Sequence, residues 1–328
     1  MRVFGIVAVA IAAVLATFAL PVKEWRTGDQ RLAPLDSVAE AATPLFPRRV
    51  WIDTDAACGH SPRTDPDDCF AIALLLRSAA LDVVGISTVA GNAPQEVVDR
   101  TTRVLVKEVG SRVSVHNEAS ALKAALTDGP LTVLALGPLT NIAAALRERP
   151  DLRGNVARLI TVMGRRPGHI FHPAEGARGG MFFGHGPVFR DFNFALDPDA
   201  AARVLAMRLP ISLVPYDAAR GVELTAEDLD RLAISLPWIV ERSRGWLDYW
   251  RADIGRRGFY PFDLIAAAYV VEPSLLRCTP VRAWAGEDEA LPWAPKALLV
   301  EPDADGAALY CGRARGEVKR RVMAVFPG

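Results

Sequence analysis

The 328-residue sequence lacks several features that mark common classes of protein. Lys plus Arg and Asp plus Glu both number 38, so the net charge is zero and no basic excess predicts nucleic-acid binding. The chain contains no internal repeat and no low-complexity segment. Its four cysteines include no CxxC pair, which argues against a thiolate zinc site. With 51% hydrophobic residues, the chain can nevertheless form one large α/β domain or two small ones.

The N-terminus contains an uncharged stretch from Val3 to Val22, flanked by Arg2 and Lys23. About twenty apolar residues are needed to cross a bilayer as a helix. The same pattern describes a secretory signal peptide, although the small-residue cleavage site at Ala19 is weak. We therefore expect residues 1–22 to be a membrane anchor or a signal peptide, with the length favouring the anchor. Under either interpretation the remaining chain is membrane-tethered or secreted/periplasmic, outside the cytoplasm.

Residues 23–48 contain three prolines and little periodicity, which is typical of a linker. We expect the globular domain to span residues 49–328. An exported chain with an even number of cysteines can form two disulfides, and Cys58 and Cys69 bracket an acidic segment that a disulfide would join. Four buried free thiols fit the sequence equally well.

Short apolar runs alternate with helical patterns from Arg49 to Asp217. The run VWIDTD predicts a buried strand, and DDCFAIALLLRSA predicts a helix that begins with acidic residues. The same alternation continues through LDVVGISTVAG, PLTVLALG, VARLITVMG and ISLVPYD, with helical segments between them. This order predicts an α/β fold with an open, mostly parallel sheet flanked by helices, preceded by an N-terminal hydrophobic helix.

Five aspartates lie within or just after the first predicted strand: Asp53, Asp55, Asp65, Asp67 and Asp68. Close carboxylates repel one another, and helix capping accounts for only one or two of them. In open parallel sheets, ligands bind beyond the carboxyl ends of the strands. A hard divalent cation such as calcium, which takes six to eight oxygen ligands, would offset this charge.

Five segments, taken in order, resemble motifs of the nucleoside hydrolase family, the inosine-uridine preferring nucleoside N-ribohydrolases. They are DTD…DPDDCFAIALLL, TVAGNAP, LALGPLTNIAAAL, DFNFALDPDAA and PFDLIAAAYVVEP. The resemblance runs from about Arg49 to Pro273, and residues 274–328 carry no recognisable motif. It implies the nucleoside hydrolase fold, hydrolysis of an N-glycosidic bond, and a calcium ion at the bottom of the pocket.

The resemblance also implies a calcium site. Its ligands would be the carboxylates of Asp55, Asp68 and Asp263 and the backbone carbonyl of Leu136. Asp53 would orient these ligands without binding the ion. Asp55 and Asp263 would be the catalytic residues, with Asp55 and calcium activating the attacking water.

Four further residues would bind the sugar by the same resemblance. Asp67 and Asn92 would hold the ribose hydroxyls, and Asp191 and Asn193 would contact the sugar further out. Asp191 stands where the family usually has glutamate, one methylene longer.

The chain departs from the family pattern around the site. Eleven residues, 56–66, separate Asp55 from the final aspartate pair, where the family has about three, and we expect Asp65 in this insertion to be solvated. Phe262 occupies a position where many members have a histidine that serves the leaving base. Trp250 lies four residues from Trp246 on one helix face, so it either stacks on the base or packs in the core.

The glycine-rich segment 164–190 predicts a lid, because long loops without secondary structure often cover active sites. Its three histidines, His169, His172 and His185, have no cysteine or carboxylate at zinc-ligand spacing. We expect them to be solvated, with donation to the substrate as the alternative.

Together these patterns predict calcium-dependent hydrolysis of ribonucleosides to ribose and free base. The alternatives are a non-catalytic ligand-binding or sensing protein on the same fold, and a hydrolase of another N-riboside. The sequence leaves open the preferred base and the oligomeric state, including a homo-oligomer.

Overall fold

The computed structural model describes residues 35–169, 191–290 and 294–326. The strands of this part are β1 Arg49–Thr54, β2 Asp82–Thr88, β3 Val115–His116, β4 Leu131–Ala135, β5 Val156–Thr161, β6 Ile211–Leu213, β7 Leu224–Thr225, β8 Gly258–Phe259, β9 Leu276–Glu287, β10 Lys296–Pro302 and β11 Ala308–Ala314. The α-helices are α1 Asp67–Arg77, α2 Gln95–Glu108, α3 Ala119–Thr127, α4 Thr140–Glu148, α5 Phe192–Leu196, α6 Pro198–Ala206, α7 Tyr216–Ala219, α8 Ala226–Leu232, α9 Pro237–Tyr249, α10 Phe262–Val271 and α11 Val318–Val325.

Nine of the described strands form one open sheet in the order β10-β9-β11-β6-β5-β4-β1-β2-β3. The pairs from β3 through β11 are parallel, and β9 runs antiparallel to both β11 and β10. The predicted α/β fold, an open and mostly parallel sheet flanked by helices, is therefore confirmed. The antiparallel edge is built from the C-terminal residues that carried no recognisable motif.

Two apolar helices, α1 and α10, are buried along almost their whole length. They belong to the larger hydrophobic cluster, together with residues of β1. Such helices pack on several sides, so their ends have little freedom to move. Both begin with aspartates, Asp67 and Asp68 in α1 and Asp263 in the first turn of α10. The core thus holds three carboxylates in position.

The four cysteines form two disulfides, Cys58–Cys69 and Cys278–Cys311. The first joins the acidic loop to the first turn of α1, and the second joins β9 to β11. This result decides between the two alternatives that the sequence left open. Structural disulfides are typical of proteins that fold in an oxidising compartment.

The N-terminal part of the described chain, residues 35–48, lies against the domain. Glu40 pairs with Arg277 at 2.6 Å and with Arg315 at 3.0 Å, and the Ala41 amide donates to the Cys278 carbonyl at 2.8 Å. The predicted anchor or signal peptide, residues 1–22, lies outside the described residues. Within the described ranges, no helix combines the length and apolar character required to cross a membrane.

Candidate active site and metal centre

Three carboxylates meet at the N-terminal ends of α1 and α10. One oxygen each from Asp67, Asp68 and Asp263 lies within 4.8 Å of the other two, and all three residues are buried. The Asp263 backbone amide donates a hydrogen bond to the Asp67 carboxylate at 2.9 Å, which connects the two helix ends. These oxygens are the nucleus of a possible metal site.

Asp55 directly follows β1 and is buried beside this group. Its Oδ2 accepts a hydrogen bond from the Asn92 amide at 2.9 Å. A Cβ at Gly91 would lie 1.9 Å from that oxygen, so only glycine permits this close approach. The other oxygen, Oδ1, is buried and accepts no hydrogen bond from the described residues. It is therefore a ligand atom without a partner in this part of the protein.

Burial raises the pKa of Asp55 and of Asp263 well above the usual range, and repulsion from neighbouring carboxylates adds to this effect. Burial, with the charge of Asp67, raises the pKa of Asp68 to about 7. No Lys or Arg among the described residues forms an ion pair with any of these four aspartates. Buried charges require compensation, and oxygen donors alone suit a hard divalent cation. The side chains present therefore fit such an ion.

This arrangement differs in one respect from the ligand set implied by the sequence. Asp67, assigned there to the ribose, contributes to the compact three-carboxylate group, whereas Asp55 lies at its edge. Two hydrogen bonds hold the Asp68 carboxylate in place. The Thr54 hydroxyl donates to one oxygen, and the Asn92 side-chain amide donates to Oδ2 at 3.1 Å. Thr54 was not recognised from the sequence.

The Leu136 carbonyl lies just beyond β4, as predicted. It accepts a hydrogen bond from Asn193 Nδ2 at 2.6 Å, and the same amide donates to the Val162 carbonyl at 3.1 Å. Asn193 therefore joins the ends of β4 and β5. A carbonyl oxygen has two lone pairs, so Leu136 retains the capacity to bind a cation beside this hydrogen bond.

Asp191 uses both carboxylate oxygens for backbone hydrogen bonds. It caps α5 by accepting from the Phe194 amide at 3.2 Å, and it accepts from the Gly164 amide at 2.7 Å. Burial raises the pKa of Asp191 to about 6. The structure thus gives Asp191 a role in holding the loop after β5, and its predicted contact with the sugar remains a prediction.

Asp53 lies under the site and is fully buried. Its Oδ1 accepts hydrogen bonds from the Ser87 hydroxyl and from Asn141 Nδ2, the latter at 2.8 Å. Burial raises the pKa of Asp53 to about 6. Asn141, which also donates to the Thr88 carbonyl at 3.0 Å, was missed as a functional residue. It lies in the motif LALGPLTNIAAAL, which was the available signal.

Asp65 was expected to be solvated, and the structure shows it half-buried instead. It accepts a hydrogen bond from the Asp67 amide at 3.2 Å. Burial of its carboxyl group, followed by the charge of Asp67, raises its pKa well above the usual range. The insertion therefore brings a fifth carboxylate to the border of the site.

Trp250 lies in the core rather than on a surface. It is fully buried and makes edge contacts with Tyr260, at 4.9 Å between ring centroids, and with Trp246, at 6.2 Å. Phe262 is half-buried, and its ring centroid lies 4.6 Å from that of Tyr216. The structure thus places Trp250 in one of the two positions that the sequence left open.

Of the three histidines in the predicted lid, the structure describes one. His169 is buried, with Nδ1 3.4 Å from Asp217 Oδ2, so it is not solvated as expected. His172 and His185 lie outside the described residues, as does most of the predicted lid.

An open parallel sheet with buried carboxylates at its carboxyl edge defines an α/β protein that binds its ligand beyond the strand ends. The family model described as inosine-uridine preferring nucleoside hydrolase matches residues 111–291. The chain belongs to this family of N-glycosyl hydrolases, which confirms the resemblance inferred from the sequence.

Individual relatives agree with this assignment. The non-specific ribonucleoside hydrolase RihC of Klebsiella pneumoniae is 28% identical over 262 residues, covering 66% of this chain and 80% of the relative. A plant nucleoside hydrolase, PpNRh1, superimposes with a TM-score of 0.64 at 19% identity, covering 87% of this chain and 98% of the other. A purine-preferring ribonucleoside hydrolase from Gardnerella vaginalis gives 0.67 at 17% identity, covering 84% and 98%. At these identities, the two structures are similar to the chain in fold.

Proposed function

We propose that this protein hydrolyses the N-glycosidic bond of ribonucleosides to ribose and free base, with calcium at the carboxylate site. Asp55, Asp68, Asp263 and the Leu136 carbonyl would hold the ion. Asp67 has an oxygen within 4.8 Å of oxygens of Asp68 and Asp263, so it would be a further ligand. The observation that carries the proposal is the buried Asp55 Oδ1, which accepts no hydrogen bond from the described residues beside three uncompensated carboxylates.

Calcium in this position would supply positive charge that fixes hydroxyl groups of the ribose and lowers the pKa of a water molecule. As a proposed ligand of the ion, Asp55 would also be a neighbour of the water molecule bound there, so it is the candidate general base. Breaking an N-ribosidic bond builds positive charge on the sugar, and the buried carboxylates stabilise this charge. Asp55 thus removes one proton from the attacking water, and its neighbours favour the transition state.

The sugar would be held at the rim of the carboxylate group. Asn92 lies there with its side-chain amide nitrogen donating to Asp68, and its amide oxygen would accept a hydrogen bond from a ribose hydroxyl. Asp67 offers carboxylate oxygens to the same hydroxyls. Because a deoxyribose lacks one of these hydroxyls, the site is expected to prefer ribonucleosides.

We also propose that the domain acts outside the cytoplasm, tethered by residues 1–22 or released after their cleavage. The two disulfides support this location, because cytosolic proteins rarely maintain structural disulfides.

The test measures free ribose released by the purified full-length protein from a panel of ribonucleosides. Activity should depend on added calcium, vanish with a chelator, and return when calcium is restored. Asp55→Asn should lower kcat by about 100-fold or more while calcium still binds, as expected when a general base is removed. Asp68→Ala should abolish both calcium binding and activity.

Asp248→Asn is the matched control, because it makes the same substitution at an exposed residue of α9. Ribose release that persists unchanged without any divalent cation would contradict the metal-assisted mechanism. Tight binding of nucleosides with no ribose released would instead indicate a binding protein.

A further inference from the structure

Beside the carboxylate group, two aromatic rings form a wall that we call the Tyr216–Phe262 pair. The ring centroids lie 4.6 Å apart with the planes tilted by 34°, and both side chains are half-buried. Phe262 immediately precedes Asp263 at the start of α10. Tyr216 begins α7, just beyond the carboxyl end of β6. The wall therefore borders the same edge of the sheet as the carboxylates.

The Tyr216 hydroxyl is close enough to the carboxylates of Asp217 and Asp65 for their charge to act on it. Burial raises the pKa of Tyr216 well above its usual range, with Tyr260, Asp217 and Asp65 adding to the effect. The charge of Asp65 also contributes to raising the pKa of Asp263, the proposed metal ligand next to Phe262. Tyr216 consequently keeps its proton at neutral pH and can donate a hydrogen bond there.

Cleavage of an N-glycosidic bond leaves the bonding electron pair on the departing base. A hydrogen-bond donor aimed at that charge lowers the barrier. Phe262 has no donor, whereas its stacking partner Tyr216 has one. A planar base leaving the sugar beside Asp263 would meet a flat apolar surface with a hydroxyl at its edge, which suits an aromatic ring bearing polar atoms.

We propose that the Tyr216–Phe262 pair binds the nucleobase and that the Tyr216 hydroxyl donates a hydrogen bond to it as it leaves. This inference rests on the proposed ribonucleoside hydrolysis and adds the residue that assists the leaving group.

Hydrolysis of the N-ribosidic bond consumes one water molecule and gives ribose and the protonated base. Water adds to C1′ of the ribose and loses one proton to Asp55, which passes it to the solvent. The C1′–N bond breaks, and its electron pair stays on the base nitrogen while Tyr216 donates its hydrogen bond. The base then takes one proton from the solvent, and Tyr216 remains protonated throughout.

The experiment compares wild type with Tyr216→Phe in the full-length protein, with inosine, uridine and p-nitrophenyl riboside as substrates. The variant should lower kcat for both nucleosides by about 10- to 100-fold, the usual effect of losing a hydrogen bond to a charged group. KM should change little, because the interaction forms mainly in the transition state. Turnover of p-nitrophenyl riboside should fall by less than about 3-fold, since nitrophenolate leaves without a donor.

Tyr249→Phe, on α9, is the matched control and should leave all three substrates unaffected. Phe262→Leu, which removes the flat ring, should raise KM for the nucleosides. In the double variant of Tyr216→Phe with Phe262→His, the imidazole supplies a donor at the neighbouring position and should restore much of the nucleoside turnover. These responses would distinguish a leaving-group role from a structural one.

An equal loss on all three substrates, or no loss on any, would overturn the inference while leaving the proposed function intact. If Tyr216→Phe fails to fold, Phe262→His alone decides the question. If Tyr216 already acts as the donor, the histidine introduced by Phe262→His should raise inosine turnover by less than about 3-fold. A gain above about 10-fold would show that wild type lacks a donor. A wild-type protein that releases ribose from no nucleoside would refute the proposed function itself and this inference with it.

Discussion

Asp53 provides a quantitative test of the electrostatics under the site. Its carboxyl group is fully buried, and one oxygen, Oδ2, accepts no hydrogen bond from the described residues. Burial raises the pKa of Asp53 from 3.8 to about 6. This difference of roughly two pKa units corresponds to about 3 kcal/mol, at about 1.4 kcal/mol per unit.

The sign follows from proton linkage. The unfolded carboxyl group ionises at a lower pH than the folded one, so ionisation stabilises the unfolded state first. The free energy of unfolding therefore falls as the pH rises from about 4 to about 6, and it is constant above that range. Asp53→Asn removes this dependence, because an amide does not ionise.

The assay is urea unfolding of metal-free wild type and Asp53→Asn at pH 5 and at pH 8. At each pH, the free energy of unfolding of wild type is subtracted from that of Asp53→Asn. The pH-independent effect of the new amide group is the same at both pH values, so it cancels when these two differences are compared. From pH 5 to pH 8, ionisation of the buried Asp53 lowers the free energy of unfolding of wild type by about 1.4 kcal/mol, the equivalent of about one pKa unit. The variant lacks this loss, so it should gain about 1.4 kcal/mol relative to wild type. The same mutational difference at both pH values would refute the assignment of Asp53 as a buried, ionisable carboxyl group.

The control variant is Asp248→Asn, whose carboxylate is exposed. Its free energy of unfolding should stay within about 0.5 kcal/mol of wild type at both pH values, as is usual for surface substitutions.

Replacing Cys58 and Cys69 by serine should weaken calcium affinity in a calorimetric titration, because Cys69 adjoins Asp68; unchanged affinity would show that the disulfide does not hold the site. Trp250→Ala should lower the free energy of unfolding by about 3–5 kcal/mol, the typical effect of emptying a buried aromatic site. A stable variant that loses only inosine affinity would instead support stacking of Trp250 on the base. Full-length protein should fractionate with membranes or be exported, as residues 1–22 predict, and recovery from the cytoplasm with an intact N-terminus would contradict that prediction.

The local pattern was most informative where burial and periodicity coincide. The run that became β1 is apolar on both faces, as a central parallel strand requires, and α1 follows with acidic residues in its first turn. The resemblance to the nucleoside hydrolases singled out Asp55, Asp68 and Asp263, and the structure places each of them directly after a strand or in the first turn of a buried helix. Such positions depend on neighbours in sequence, so pattern and motif suffice to locate them.

Other features depend on contacts between distant residues. Asp65 lies in the eleven-residue segment 56–66, which has no periodicity, so only the structure shows that its carboxylate accepts a hydrogen bond from the Asp67 amide. Trp250 has the same spacing whether it stacks on a ligand or packs in the core, and only the contact with Tyr260 distinguishes the two. The edge strands β9 to β11 pair with partners that no local pattern identifies.

The sequence by itself determined the fold class, the family and the acidic centre of the site, because strand and helix periods and short motifs are local properties of the chain. Tertiary structure alone decided which carboxylates share one point, which carbonyl and amide groups they meet, and that Tyr216 stands beside Phe262. These are distances between residues far apart in sequence, and they follow from how buried helices pack against the sheet.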